Sequence, residues 1–415
     1  MSENNNANAQ PPNTKPLDKK VPLWLWLLGL MTAIGPLTID MYLPSFPTIS
    51  ADLRVPQSQV ELTVSTYLLG LALSQLFYGP IADRYGRKKP LLGGLMIYML
   101  ATIGCALATS VDYLLFFRCI QACGAAAAMV IPRAVIRDQL NTRDSAMAMS
   151  MMMLIMGVAP ILAPLMGGYL SPVTGWRGLF AIMLVYSALM FFLAIFRLKE
   201  TMPAHKAVPL QLGTIAHNYA ALLRSRNYMG FSLAGGIGMS GLFAYISVSP
   251  TIFINMYGVP QQHFGLFFGL NAFGLIAGSQ IGARLLRVHT PLGILRTALT
   301  CGFISILIGL GLALAGMLNL TLLTLTLMGF TTSLGFILPN ATALALRDQG
   351  HRLGVASALM GCLQFLFGTV SSSTVSSSLT DSPVPLFVGL AVCSLLALLC
   401  GKILARPADR HFGNQ

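Results

Sequence analysis

The chain has 415 residues, of which 55% are hydrophobic and only 9% charged, with a mean hydropathy of +0.71; soluble domains carry about 25% charged residues, so a soluble globular fold is excluded. A formal net charge of +13 would suggest nucleic acid in a soluble protein. Here the bases cluster in short connections between apolar runs, where they set membrane orientation and attract anionic lipid head groups, and no nucleic-acid partner is expected.

Runs of about 20 apolar residues suffice to cross a bilayer. Twelve begin near residues 23, 60, 91, 113, 146, 178, 228, 264, 293, 320, 353 and 384, leaving no room for a separate soluble domain. The expected fold class is an all-α integral membrane protein of twelve transmembrane helices. Lysine and arginine are retained on the cytoplasmic side of short loops. With the N-terminus inside, all but four of the 26 bases fall on that side: Arg54 and Arg177 lie in outer loops, and Arg118 and Arg133 lie in the fourth run. Both termini are therefore expected in the cytoplasm. Residues 1–20 are rich in Asn, Gln and Pro, lack the apolar core and cleavage site of a signal peptide, and read as a disordered tail. The expected division is two six-helix halves, 21–197 and 227–405, a cytoplasmic linker 198–226 and a tail 406–415. All seven cysteines sit in apolar runs without the spacing or His/Asp company of a metal site, so neither metal nor cofactor is expected.

The first run ends in Thr38-Ile39-Asp40-Met41-Tyr42-Leu43-Pro44-Ser45-Phe46-Pro47, and Asp40 closes a charge-free stretch that starts at Leu23. An ionised side chain at such depth costs about 2.5–3.5 kcal/mol on insertion scales, so it marks a functional site. Pro44 and Pro47 read as the stop of this helix. Gly35-Pro36, one turn earlier, either kinks the helix and turns Asp40 inward or is an ordinary membrane-helix proline. Among carboxylates, Asp40 is the only one read as clearly inside an apolar segment.

The second run ends in Gly79-Pro80-Ile81-Ala82-Asp83-Arg84-Tyr85-Gly86-Arg87-Lys88-Lys89. A positive-inside loop explains the bases but not Asp83 or the two glycines. The pattern Gly79, Asp83, Arg84, Gly86, Arg87, Lys88 resembles the loop 2–3 motif of the major facilitator superfamily. That resemblance implies two pseudo-symmetric six-helix halves with this loop latching them on the cytoplasmic side. It also implies that Asp83 faces the start of the eleventh helix near Leu353, favoured by the helix dipole, and that Arg137 and Asp138 join the same network.

In the fourth run, Arg118, Gln121, Ala122 and Ala125 fall at i, i+3, i+4 and i+7, one helical face of two polar and two small residues. Arg118 lies roughly 8 Å in from the outer end, in the same outer half as Asp40. Either the two communicate, directly or through water or substrate, or Arg118 snorkels to head groups. The face resembles the superfamily's fourth-helix motif, with Ala122 in place of a glycine. In the fifth run, Gly157, Pro160, Pro164, Gly167 and Gly168 resemble the fifth-helix motif of drug:proton antiporters, although Ala163 replaces a usual glycine. Small residues and prolines suit a sliding contact, and equally suit tight packing. The methionines from Met147 to Met156 face several directions and read as packing.

The second half has no carboxylate or histidine at a helix centre. Tyr42, Tyr67, Tyr245, Asn271 and Gln364, with Asn340 and Phe365, could line a central cavity; helix–helix hydrogen bonding is the alternative for each. Ser371 to Ser378 holds seven Ser or Thr in eight residues and would pack or hydrate the outer end of the eleventh helix.

The first-helix, fourth-helix and fifth-helix segments together are most similar to the Bcr/CflA branch of twelve-helix drug exporters. The resemblance implies an exporter of small antibiotics in the bacterial inner membrane, driven by inward proton flow, and a monomer is expected. Asp40 would be the proton site, and Arg118 and Gln121 its coupling partners. Some relatives carry a second acid two turns before Asp40, where this chain has Thr32, so neutral or zwitterionic substrates would suit it better than dications. A proton-coupled nutrient transporter would use the same fold. A membrane enzyme would need a catalytic cluster, and the sequence offers none.

Overall fold

The computed structural model describes residues 22–202 and 212–404. The helices are α1 (Leu23–Asp40), α2 (Phe46–Leu53), α3 (Gln57–Tyr85), α4 (Lys88–Ala106), α5 (Val111–Gln139), α6 (Thr142–Arg197), α7 (Leu212–Arg224), α8 (Arg226–Pro250), α9 (Gln261–Leu285), α10 (Pro291–Leu314), α11 (Leu320–Leu346), α12 (Leu353–Ser378) and α13 (Val384–Leu399). Among the described residues, eleven helical stretches are long and apolar enough to cross a membrane, and one of them, 147–197, covers two crossings.

Gly175 makes those two crossings, because its backbone leaves the helical region at φ 70° and ψ 170°. The two limbs of α6 then fold back on each other's neighbours. Ile155 of the first limb packs against Gly29, and Tyr186 of the second donates to the Leu30 carbonyl at 2.7 Å, so both limbs flank α1. Twelve crossings result, as the apolar runs predict. Helix starts fall up to four residues earlier than the apolar runs suggest, because the caps are polar. Ser110, Asn141, Thr290 and Asn319 accept from the backbone N–H three residues on, opening α5, α6, α10 and α11.

One end of the bundle holds the start of α1 and the end of α13, and is called here the terminal end; the opposite end, where α1 finishes and α3 begins, is the distal end. Two stretches depart from expectation. Pro44 and Pro47 do not stop the chain's helical course, for each occupies the first turn of a new piece, the short turn Leu43–Ser45 and then α2. Proline fits there because its missing N–H has no partner to lose. Within the expected linker, α7 forms an amphipathic helix at the terminal end, and Tyr219 donates to the Leu76 carbonyl at 3.2 Å.

Helices in lipid gain little from apolar burial against each other, so contact depends on close approach of small residues. At the α4–α5 crossing a Cβ on Gly124 would lie 2.6 Å from the Gly94 carbonyl oxygen. Large apolar side chains such as Leu100, Val185 and Phe196 are exposed, forming the face a membrane covers. The protein is thus a multi-pass membrane protein. Helices α1 and α3–α6 form one half and α8–α13 the other, meeting where α3 packs on α12 and α6 packs on α9.

Candidate functional site

Asp40 ends α1, yet the chain beyond it does not reach the surface: Met41, Tyr42, Leu43, Pro44, Ser45 and Phe46 are fully buried. Asp40 itself is 3% exposed, and its Oδ1 is buried without a hydrogen-bond partner. The backbone on either side is clamped. A Cβ on Gly167 of α6 would fall on the Met41 carbonyl, so only glycine lets the two chains meet there. The turn Leu43–Ser45 touches α8 and α9 of the other half. Asp40 therefore sits where the two halves meet.

Arg118 of α5 is completely buried. Its guanidinium lies between two tyrosine rings, 4.3 Å from the centroid of Tyr42 and 4.4 Å from that of Tyr67. Nη1 donates to Gln121 Oε1 at 2.8 Å and Nη2 to the Thr38 carbonyl at 3.2 Å, while Nε has no partner. Gln121 is fixed in turn by donating from Nε2 to Thr102 Oγ1 at 2.8 Å. Tyr42 and Thr63 hydroxyls bond at 2.7 Å, as do those of Thr38 and Tyr98. Snorkelling is thus excluded in favour of an inward cage. No direct ion pair joins Arg118 to Asp40; the link runs through the Thr38 carbonyl, two residues before the acid. Two desolvated cation–π contacts, each worth about 2 kcal/mol, help to hold the cation without a carboxylate.

Of the other expected cavity residues, Asn271 on α9 donates to Tyr245 at 3.1 Å and to the Phe267 carbonyl at 3.0 Å, leaving Oδ1 buried and unpartnered. Tyr245 stacks on Phe268 at 5.8 Å. Tyr42 and Tyr67 belong to the arginine cage, whereas Tyr245 and Asn271 bond each other within the second half. Gln364 is half-buried, with its backbone against Gly236 of α8. The structure does not bring it to the Asp40 cluster.

A second carboxylate corrects the reading that Asp40 alone is intramembrane. Glu61 of α3 is 1% exposed. It accepts a short hydrogen bond from Thr251, its backbone carbonyl accepts from Ser247 at 3.1 Å, and Oε2 is buried without a partner. Around it the distal ends of the halves are sewn together. Gln57 donates to Thr251 at 2.7 Å, Asn255 to Gln57 at 2.7 Å, and Gln261 to Ser171 at 3.2 Å. Ser65 bonds Ser372 across the halves at 2.7 Å, while Ser247, which also reaches the Glu61 carbonyl, bonds Ser376 within the second half at 3.0 Å. The serine-rich end of α12 therefore joins the halves. Near the distal end of the α6 motif, a Cβ on Gly168 would meet the Gln261 carbonyl at 2.6 Å, again between halves. Further along α6, Gly157 faces Ile276 of α9, and Pro160 and Pro164 lie inside the helix.

A family model described as Major Facilitator Superfamily matches residues 28–373. The chain belongs to that superfamily. It is 35% identical over 376 residues to an uncharacterized MFS-type transporter, YdgK, of Bacillus subtilis, spanning 90% of this chain and 93% of that one. It is 30% identical to a bicyclomycin resistance protein homolog of Haemophilus influenzae, spanning 91% and 94%, and 30% identical to the multidrug resistance protein MdtL of Klebsiella pneumoniae, spanning 93% and 96%. Among solved structures, a D-xylose-proton symporter superposes with a TM-score of 0.72 at 14% identity, covering 91% of this chain and 97% of that one. A bacterial homolog of the lysosomal transporter Spinster gives 0.69 at 15%, covering 91% and 94%. The fold and the branch resemblance read from the motifs both hold.

The superfamily's loop motif is built here, but not as the resemblance implies. Asp83 pairs with Arg87 at 2.5 Å, one turn along, and not with the start of α12, whose first residue Leu353 is exposed. Arg87 also binds Asp138 at 2.8 Å, which brings the end of α5 into the network as expected. Glu200, absent from the motif, receives the N–H groups of Arg87 at 2.8 Å and Lys88 at 3.0 Å, capping the start of α4. Gly86 stands at φ 86°, and a Cβ there would strike the Glu200 carboxylate, so this turn needs its glycine. Burial opposes ionisation of Glu200, but the backbone donors Arg87, Met202, Lys88 and Thr201 outweigh it and hold the carboxyl below its ordinary value of 4.5. Asp83 and Arg84 are solvent-exposed, and Gly79 has open space beside it.

Proposed function

We propose that this transporter exports small antibiotics of the bicyclomycin or chloramphenicol kind in exchange for protons, from the cytoplasm across a bacterial inner membrane. Its termini face the cytoplasm and its distal end faces outward. The observation that supports this reading is Asp40: a carboxyl group with a buried, unpartnered oxygen, placed where the halves meet, near an arginine whose Nη groups are engaged by Gln121 and the Thr38 carbonyl and not by the acid. An ionised carboxylate left so costs several kcal/mol, so Asp40 holds a proton in this conformation. Because Arg118 is not committed to Asp40, a drug or water entering the cluster can stabilise the carboxylate and release that proton. Parting the halves at the distal end delivers the drug and lets Asp40 reload. Relatives named for bicyclomycin and multidrug resistance, at about 30% identity over nearly full length, favour drugs over nutrients as cargo.

The test is drug movement in inside-out vesicles from cells making the protein, energised by an acid interior. Accumulation of bicyclomycin or chloramphenicol inside, with loss of the proton gradient on drug addition, is the expected result. Accumulation only when the gradient is reversed would identify an importer and overturn the reading.

A further inference from the structure

Asp40 does not account for the second buried acid. Glu61 lies about 6 Å along α3 from its distal start, on the face turned toward the other half. Ser65, one turn on, shares that face and bonds Ser372, whereas Thr63, about 200° around the helix from Glu61, bonds Tyr42 on the opposite side. Thus α3 presents one acid to the seam between the halves and a different face to the arginine cage.

Among the described residues no cation answers Glu61. The turn Thr251–Met256 and helix α12 carry no Asp, Glu, Lys, Arg or His at all, and the only charge on α8 is Arg226 at its terminal start. On the other elements packed against α3, Asp112, Arg118, Arg133, Arg137 and Asp138 belong to α5, the last three at its terminal end, and Asp52 to α2. Arg118 is occupied by Gln121 and Thr38, and Asp52 pairs with Arg177 at 2.5 Å. Asp112, Arg54 and Asp381 lie at the distal surface, and Lys88 and Lys89 are at the far end of α4. What faces the Glu61 carboxyl is hydroxyls: Thr251 donates to Oε1, and Ser376 lies beside it. Neutral hydroxyls can solvate a carboxylic acid, but they do not compensate a buried charge.

We propose that Glu61 is a second proton-binding site, one that latches the distal gate. It carries a proton while the distal ends are together and loses it to water when they part. Closing takes one proton from the distal aqueous side onto the carboxylate; opening returns it, and no other bond changes. The sign follows directly. The closed form binds the proton more tightly, so acid on the distal side favours closure and alkali favours opening. This deepens the exchange mechanism proposed above, adding a proton that sets when the distal gate shuts after cargo has left.

The experiment is hydrogen–deuterium exchange of the full-length protein in lipid nanodiscs, with no drug and no gradient. Segments 57–66 and 247–258 are followed from about pH 6 to about pH 8 after correction for intrinsic exchange; one linked proton changes the open population by up to about tenfold per pH unit. In wild type, corrected exchange should rise toward that limit. Glu61→Gln, a neutral isostere, should stay protected and lose the pH dependence, while Asp40→Asn keeps it. Thr251→Val should exchange faster at every pH with the slope intact, separating packing from protonation. A flat wild-type profile, a slope surviving in Glu61→Gln, faster exchange of that variant at all pH values, or a slope lost in Asp40→Asn would each overturn the proposal. None of these outcomes touches the drug-exchange reading, which the vesicle assay decides.

Discussion

Asp40 and Glu61 are both carboxylates enclosed near the distal end, 3% and 1% exposed, and both keep one oxygen without a hydrogen-bond partner. Their neighbours differ. Asp40 stands two residues from the carbonyl that holds a caged guanidinium, among aromatic rings and an amide that can serve a ligand. Glu61 stands among serine and threonine hydroxyls contributed by the other half, with no ring or cation bonded to it among the described residues. The same chemical group is thus placed once where cargo chemistry is available and once where only the meeting of the halves is sensed. Burial alone does not assign a role to an intramembrane acid; the partners on the opposing helix do.

The largest effect that would sharpen this contrast is at Asp40. Asp40→Asn should abolish gradient-driven export in vesicles while drug binding persists, and Glu61→Gln should leave the direction of transport unchanged. Next is the cage. Arg118→Lys loses the planar fork between Tyr42 and Tyr67, and export should fall about tenfold or more with the protein still in the membrane. Gly167→Val forces a side chain onto the Met41 carbonyl beside Asp40; a loss of about 1–3 kcal/mol is expected, read as a lower Tm in detergent. Gly168→Ala instead presses on Gln261 across the seam that Glu61 shares. It should disfavour distal closure by about 1 kcal/mol, roughly a fivefold change in population, seen as faster deuterium exchange in 57–66.

The smallest effect lies far from both acids, at the terminal loop. Since the Glu200 carboxyl is held below 4.5, its contribution to the α4 cap is complete above that value and fades as pH falls through it. Acid-induced loosening of segment 84–90 should be present in wild type and absent in Glu200→Gln, measured by exchange at low pH.

Asp40 was legible because it ends a run free of charge from Leu23. Arg118 and Gln121 were legible as one helical face. Glu61 was not, because the apolar run begins near residue 60 and a carboxylate at its first step reads as loop. Pro56 ahead of Gln57 was the available signal, for proline favours helix starts, and it would have carried the helix past Glu61. The turn and helix between residues 43 and 53 were hidden by the same residue type, read there as a stop. Gly79 to Lys88 gave the superfamily but not its state. Whether Asp83 meets Arg87 or the start of α12 depends on how the halves are tilted, which no local spacing encodes.

The direct test of the central claim is proton release by the purified protein on drug addition, followed with a pH dye in weakly buffered solution. Wild type and Glu61→Gln should each release a proton as bicyclomycin or chloramphenicol binds, and Asp40→Asn should bind without release. Release that persists in Asp40→Asn, or vanishes only in Glu61→Gln, would contradict the assignment of cargo exchange to Asp40.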